Sequence, residues 1–155
     1  MPRESGEKLI TVNRKARHDY FIDETVEAGL VLVGTEVKSL REVRVNLRDA
    51  YAELRRDELY LVNAHISVYE QGNIWNHEPL RPRKLLLHRR EIERLNASVR
   101  EKGLTVVPTR LYFKDGRVKV EIALARGKDL YDKRQSIRER ETKRDMERAV
   151  REARR

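Results

Sequence analysis

Val118, Val120, Ile122 and Leu124 alternate with Lys119, Glu121 and Ala123, a period of two that reads as a strand with one buried face. A second apolar run, residues 104–113, precedes it. Between them stand Lys114, Asp115, Gly116 and Arg117, which include the Asp-Gly pair favoured by tight hairpins. Residues 20–33 keep the same period through Tyr20, Ile22, Val26, Ala28, Leu30 and Leu32, interrupted only at Glu24, with Gly29 as a plausible bend or bulge. Residues 47–54 and 59–66 predict two strands around the polar turn 55–58, residues 84–87 predict a short one, and residues 9–12 suit a sheet edge.

Helical spacing is confined to shorter stretches. Ile92, Leu95 and Val99 place one apolar stripe on a helix over residues 89–102, which Gly103 ends. Gly34 and Thr35 offer a turn and an N-cap for a short helix over residues 36–41, with Lys38 and Arg41 on neighbouring turns. Residues 67–82, rich in Gly, Asn and Pro, read as a loop. About six antiparallel strands with two or three short flanking helices predict a mainly β fold, a closed barrel of the OB type, in which closure removes vulnerable edges.

The alternation stops after Ala125. Residues 126–155 carry twelve Lys/Arg against seven Asp/Glu, while residues 1–125 carry twenty-three against nineteen, so the excess is densest at the end of the chain. The tail has no Pro, and Gly127 is its only Gly. Its composition favours helix, but Leu130, Ile137, Met146 and Val150 are too sparse to form a packing stripe. The expected organisation is one barrel over residues 1–125, with a loose polar arm over residues 1–8, followed by a tail over residues 126–155. That tail is expected to be disordered when free and helical when bound.

A net charge of +9 and a pI near 10.0 call for a polyanionic partner, RNA first among them. The longest aliphatic run is the four residues 30–33, so neither a membrane span nor a signal segment is expected, and the chain reads as cytoplasmic. No Cys is present to provide a disulfide, a thiolate site or a nucleophile. His18, His65, His77 and His88 lack metal-ligand spacing, no Gly-rich phosphate loop appears, and adjacent acids such as Asp23 and Glu24 point to opposite faces of a strand. The chain is therefore expected to be neither an enzyme nor a cofactor carrier.

Basic residues interleaved with rings are better represented. Arg14, Lys15, Arg17 and His18 precede Tyr20; Arg81, Arg83 and Lys84 precede His88; Tyr112 and Lys114 stand with Lys119 on the last hairpin. RNA binding needs cations for phosphates and flat rings for unstacked bases. Any one cluster reads equally well as a solvated charged face, but three on one small barrel favour RNA. In the tail, Gly127 and Lys128 lead to Tyr131, Asp132, Lys133 and Arg134, where Gly127 is expected to let the chain leave the last strand sharply.

These residues resemble the small protein B family of bacterial trans-translation. The likeness runs from about Asn13 to Arg144 and rests on order and spacing: residues 13–20 (NRKARHDY), 27–29 (EAG), 34–41 (GTEVKSLR), 83–88 (RKLLLH), 119–122 (KVEI), and the ending Gly127-Lys128 with Asp132-Lys133-Arg134. The resemblance implies an OB-type barrel that binds the tRNA-like part of tmRNA and enters ribosomes stalled on messages lacking a stop codon. Implied partners are tmRNA, small-subunit rRNA and, indirectly through aminoacyl-tmRNA, elongation factor Tu, with the protein itself a monomer. By likeness, Glu27, Leu86 and His88, with Asn13 to Tyr20 and Lys38, Ser39 and Arg41, lie at or near tmRNA. Gly127, Lys128 and Tyr131 to Arg134 enter the decoding centre, and the helix carrying Arg138, Arg140, Lys143 and Arg144 lies along the mRNA channel. A helix over residues 128–150 reaches about 35 Å at 1.5 Å per residue. Val43, Val68 and Asp129 depart from the family's usual Gly, Pro and Lys. A constitutive rRNA-binding structural protein is the alternative reading, and an RNA-processing enzyme the third.

Overall fold

The computed structural model describes residues 6–72, 75–128 and 130–153, the last segment with side chains from residue 140 onward. In chain order the elements are β1 (Glu7–Val12), α1 (Arg14–Asp19), β2 (Tyr20–Leu30), α2 (Gly34–Arg41), β3 (Val45–Asn46), β4 (Tyr51–Arg55), β5 (Glu58–Val62), β6 (His65–Ile66), β7 (Arg83–Leu86), α3 (Arg89–Lys102), β8 (Thr105–Lys114), β9 (Arg117–Gly127) and α4 (Leu130–Ala153).

The strongest local signals form as expected. Asp115 and Gly116 take positive φ of 50° and 79°, the two-residue turn whose twist matches that of a hairpin, and β8 and β9 pair along their length. Arg56 and Asp57 do the same for β4 and β5. Gly103, with φ 63°, ends α3, which buries Ile92 and Leu95.

The strands join antiparallel in the order β1-β8-β9-β2-β7-β5-β4, with β3 and β6 as a separate pair. This corrects the expected closed six-stranded barrel: the main sheet has seven strands and remains open. The reason is the N-terminal strand. β1 takes the outer edge of β8 over residues 110–114, from Glu7 opposite Lys114 to Val12 opposite Arg110, and β4 makes no ladder with the rest of that edge. The sheet curls all the same, since residues of β4 come within 8 Å of β8.

Inside the curl, Leu40, Leu61, Leu85, Leu95, Leu111, Val120 and Ile122 form a closely buried core. The alternation of β9 is explained by what lies on each face. Val118, Val120, Ile122 and Leu124 face this core, while Ala123 and Ala125 are buried too, and Ala125 packs with Ala16 of α1, Val107 and Tyr20. The bulge in β2 falls between Ile22 and Glu24, where the alternation is interrupted, rather than at Gly29. Gly29 instead pairs with both Lys119 and Leu86, and a Cβ there would lie 3.2 Å from the Leu86 Cβ.

Two turns differ from expectation. Val33, not Thr35, caps α2: its N–H donates to the Glu36 Oε1 at 2.9 Å, and the Thr35 hydroxyl bonds the His77 Nδ1 at 2.8 Å. After α2, Val43 sits at φ 57°, a left-handed conformation that strains a β-branched residue and explains why glycine suits this position. Val43→Gly is expected to stabilise the fold by about 1 kcal/mol in urea unfolding, since the relieved strain exceeds the chain entropy glycine adds.

Candidate nucleic-acid interface

The predicted RNA-binding residues fall at two ends of β2 rather than on one surface. At the first end, Asn13 is a structural residue, buried at 4% exposure. Its Oδ1 accepts from the Ala16 N–H and its Nδ2 donates to the Leu47 and Pro108 carbonyls at 3.0 and 2.9 Å, so it caps α1 and ties it to the segment after β3 and to β8. Arg14, Lys15, Arg17 and His18 are consequently displayed outward on α1, with Lys15 Nζ 3.1 Å from Asp49 and His18 Nδ1 2.9 Å from Asp19. A cavity of about 230 Å³ beside them adds Arg48, which no sequence pattern indicated.

The tail leaves from this same end. β9 continues through Gly127, opposite Tyr20, and the Lys128 N–H donates to the Asp19 carbonyl at 2.8 Å. Gly127 has no positive φ and a Cβ there would meet nothing within 4 Å, so neither its backbone conformation nor its surroundings require glycine. Arg126 and Lys128 lie 5.0 and 5.1 Å from the centre of the Phe21 ring. The register alone reveals this stack, because it places Phe21 opposite Arg126. Tyr131, Asp132, Lys133, Arg134 and Arg138 lie within α4, but their side chains are outside the described residues; Asp129 lies outside altogether. Arg140, Lys143 and Arg144 are exposed, as is every described side chain of α4.

At the other end, seven residues further along β2, or about 23 Å at 3.3 Å per residue, Glu27 stands with Leu86, His88 and Lys119 around a cavity of about 390 Å³. Lys114 Nζ lies 3.2 Å from Glu27. The Tyr112 hydroxyl donates to Glu27 Oε2 at 2.5 Å, and this bond, with Lys114 and Lys119 nearby, outweighs burial and lowers the Glu27 pKa. Burial and the Glu27 carboxylate push the Tyr112 hydroxyl up, so it stays a donor. The result is an ionised acceptor set among cations, suited to the N–H edge of a base beside phosphates. Tyr112 itself is no stacking platform: it is 2% exposed, with the Arg110 guanidinium 4.3 Å from its ring centre.

The remaining candidates separate into surface and scaffold. Lys38 and Arg41 are exposed on α2, and Lys38 lies 5.5 Å from the Tyr69 ring centre. Ser39 is fully buried, its hydroxyl donating to the Ser67 carbonyl at 2.7 Å. Arg83, expected on RNA, is also fully buried: its Nε meets Glu36 Oε2 at 2.5 Å and its other nitrogens reach the carbonyls of Ala64, Pro79 and Glu78. Lys84 is half-buried in β7 opposite Tyr60. Among the described residues no group of His, Asp and Glu is placed to hold a metal ion, and no helix is long and apolar enough to cross a membrane.

Known proteins share both the sequence and the fold. The family model described as "SmpB protein" matches residues 10–152. The SsrA-binding protein of Symbiobacterium thermophilum is 64% identical over 143 residues, 92% of this chain and 90% of that protein. That of Listeria welshimeri is 57% identical over 152 residues, 98% of each. A solved chain described as "tmRNA-SmpB: a journey to the center of the bacterial ribosome" superposes with a TM-score of 0.67 at 50% identity, covering 79% of this chain and 87% of that one. With a match that spans the α1 cluster, the Glu27 cavity and most of α4, the chain belongs to the SmpB family.

Proposed function

We propose that this protein is a tmRNA-binding adaptor of trans-translation, which carries tmRNA to stalled ribosomes and performs no bond chemistry of its own. The observation that carries this reading is the separation of two cationic surfaces on one rigid strand. An adaptor must hold one RNA while touching another, and β2 provides a site at each end, Glu27 on one side of the sheet path and the α1–tail footing on the other. SsrA-binding relatives and a tmRNA-bearing structural neighbour support the identity of the first RNA.

The Glu27, Leu86, His88, Lys114 and Lys119 end meets the tRNA-like part of tmRNA. α1 shares its footing with the tail root, so in place of the tmRNA contact that the resemblance implies we assign Arg14, Lys15, Arg17 and His18 to the partner of the tail, small-subunit rRNA at the decoding centre. α4, 24 residues and about 36 Å long at 1.5 Å per residue, then lies in the mRNA channel. A helix with no apolar stripe gains little from itself and orders against an anionic wall, which it finds only where message is absent. The protein acts as a cytoplasmic monomer, and elongation factor Tu joins through aminoacyl-tmRNA.

Salt titrations test the division. Lys114→Gln with Lys119→Gln is expected to weaken tmRNA binding and to flatten its log–log salt slope by about 0.7–0.9 for each phosphate left without its cation. Arg14→Gln, Lys15→Gln and Arg17→Gln together are expected to leave that slope intact and to weaken binding to the small subunit. A tmRNA slope that responds to the α1 triple and not to the lysine pair overturns the assignment of the two ends.

A further inference from the structure

Beside the Glu27 cavity lies a second one of about 260 Å³, with which it shares Gly29, Leu86 and Lys119. Its walls differ in kind. Leu30, Leu32, Val37 and Leu86 make it apolar, Arg117 and Lys119 stand at it as cations, and no carboxylate lines it. Leu86 is 52% exposed, although it is an aliphatic residue in the middle of the sheet. It lies over β2 because Gly29 has no side chain: a Cβ there would approach the Leu86 Cβ and Cδ1 to 3.2 and 3.3 Å.

A slot with apolar walls and only cationic side chains at it has no side-chain acceptor, and its donors are charged. It selects a flat, poorly hydrated body that carries negative charge on a short tether. An unstacked nucleobase with its own phosphates has this form, and the slot is continuous with a cavity whose acceptor and cations already suit RNA. Its size, near the lower limit of about 300 Å³ for ligand clefts, suits one ring system rather than a whole small molecule.

We propose that this slot is a second base-binding subsite: one unstacked nucleobase of the bound RNA lies against Leu30, Leu32, Val37 and Leu86 while Arg117 and Lys119 hold the adjoining phosphates. The subsite rests on the tmRNA-binding reading and adds to it an apolar contact and Arg117. It also assigns Gly29 a role, since the missing side chain shapes both cavities.

Methyl-labelled full-length protein, titrated with a transcript of the tRNA-like domain of tmRNA, provides the test. Upfield ring-current shifts at the Leu32 and Val37 methyls, with intermolecular NOEs to base protons, are expected. Val37→Trp, which fills the slot, is expected to lower affinity several-fold with the salt slope unchanged. Arg117→Gln, at an exposed position, is expected to reduce the slope by about 0.7–0.9. If the backbone amide signals of His88 and Lys119, read on 15N-labelled protein, respond to RNA while the slot methyls stay still and Arg117→Gln keeps its slope, the subsite is wrong and the tmRNA reading stands. If no signal responds to the RNA, both are wrong. Should Val37→Trp fail to fold by circular dichroism, the wild-type methyl spectra and Arg117→Gln still decide.

Discussion

A chain ended at Lys128 binds tmRNA as tightly as the full protein and supports no peptidyl transfer to tmRNA alanine on ribosomes stalled without a stop codon. The first half of this expectation follows from burial. Every described side chain of α4, from residue 140 to residue 153, is exposed, so removal of that part takes nothing from the core, and Lys128 retains its hydrogen bond to Asp19 and its place beside Phe21. The truncation removes ten Lys/Arg and seven Asp/Glu, lowering the net charge from +9 to +6, but the Glu27 end of β2 keeps all its cations.

The second half follows from where the tail begins. It leaves from the α1 end, about 23 Å from the Glu27 cavity at 3.3 Å per strand residue, and α4 continues for 24 residues. On the proposed function its contribution falls after tmRNA is bound, when the channel is tested for message. Filter binding with tmRNA and a peptidyl-transfer assay on non-stop ribosomes separate the two halves. Transfer at the wild-type rate by the truncated chain rules out channel sensing, and weakened tmRNA binding rules out the division of the molecule into two ends.

Arg83→Met costs about 3–5 kcal/mol of stability, as expected for removal of one partner from a fully buried pair. The replacement is close in volume but leaves Glu36, itself without solvent exposure, dependent on Arg81 and the Val33 N–H. It also leaves the carbonyls of Ala64, Pro79 and Glu78 without their donor. For that reason Glu36→Leu combined with Arg83→Met is expected to recover only part of the loss, although apolar substitution of both partners often restores a simple buried pair. Urea unfolding followed by circular dichroism measures it; Trp75, 83% exposed, is a poor reporter. A loss below about 1 kcal/mol for the single change, the level of an exposed pair, overturns the role given to Arg83.

The same pair gives stability an acid limit. Burial raises the Glu36 pKa, but the hydrogen bonds from Arg81 and the Val33 N–H together with Arg83 overcome it, and the net shift is downward. Desolvation lowers Arg83 as well, which by itself opposes the charged pair, yet an arginine stays protonated wherever the protein folds, so the pH response belongs to Glu36. With the folded value below the unfolded one, the contribution is complete above the ordinary glutamate value of 4.5 and is lost as pH falls through the lowered folded value. Glu36→Gln is expected to flatten stability against pH in that acid range.

Local chemistry made much of the chain readable. Asp115-Gly116 fits a two-residue turn in any context, Gly103 ends any helix that reaches it, and a period of two declares a strand with one buried face. The tail was legible for the opposite reason: with no apolar stripe, residues 126–155 cannot belong to a core. Family likeness also lies in residue order, so the expected partners followed from it directly.

What depended on distant residues was hidden. Charge pattern cannot distinguish Arg83 from Arg81 and Lys84; the buried Glu36 carboxylate, 47 residues away in the chain, draws Arg83 inside. Tyr112 has the look of a stacking ring in the sequence, but Glu27 and Arg110 occupy its hydroxyl and its face. Asn13 has the look of an RNA contact, but its amide closes α1 onto carbonyls 34 and 95 residues away. Strand identity, turn chemistry and the polarity of the tail are local properties, and the amino-acid order alone determined them. Whether the sheet closed, which cations reached solvent and which end of β2 each cluster occupied were decided only in the tertiary structure. There β1 takes part of the edge of β8, and strand register brings together residues that sequence distance keeps apart.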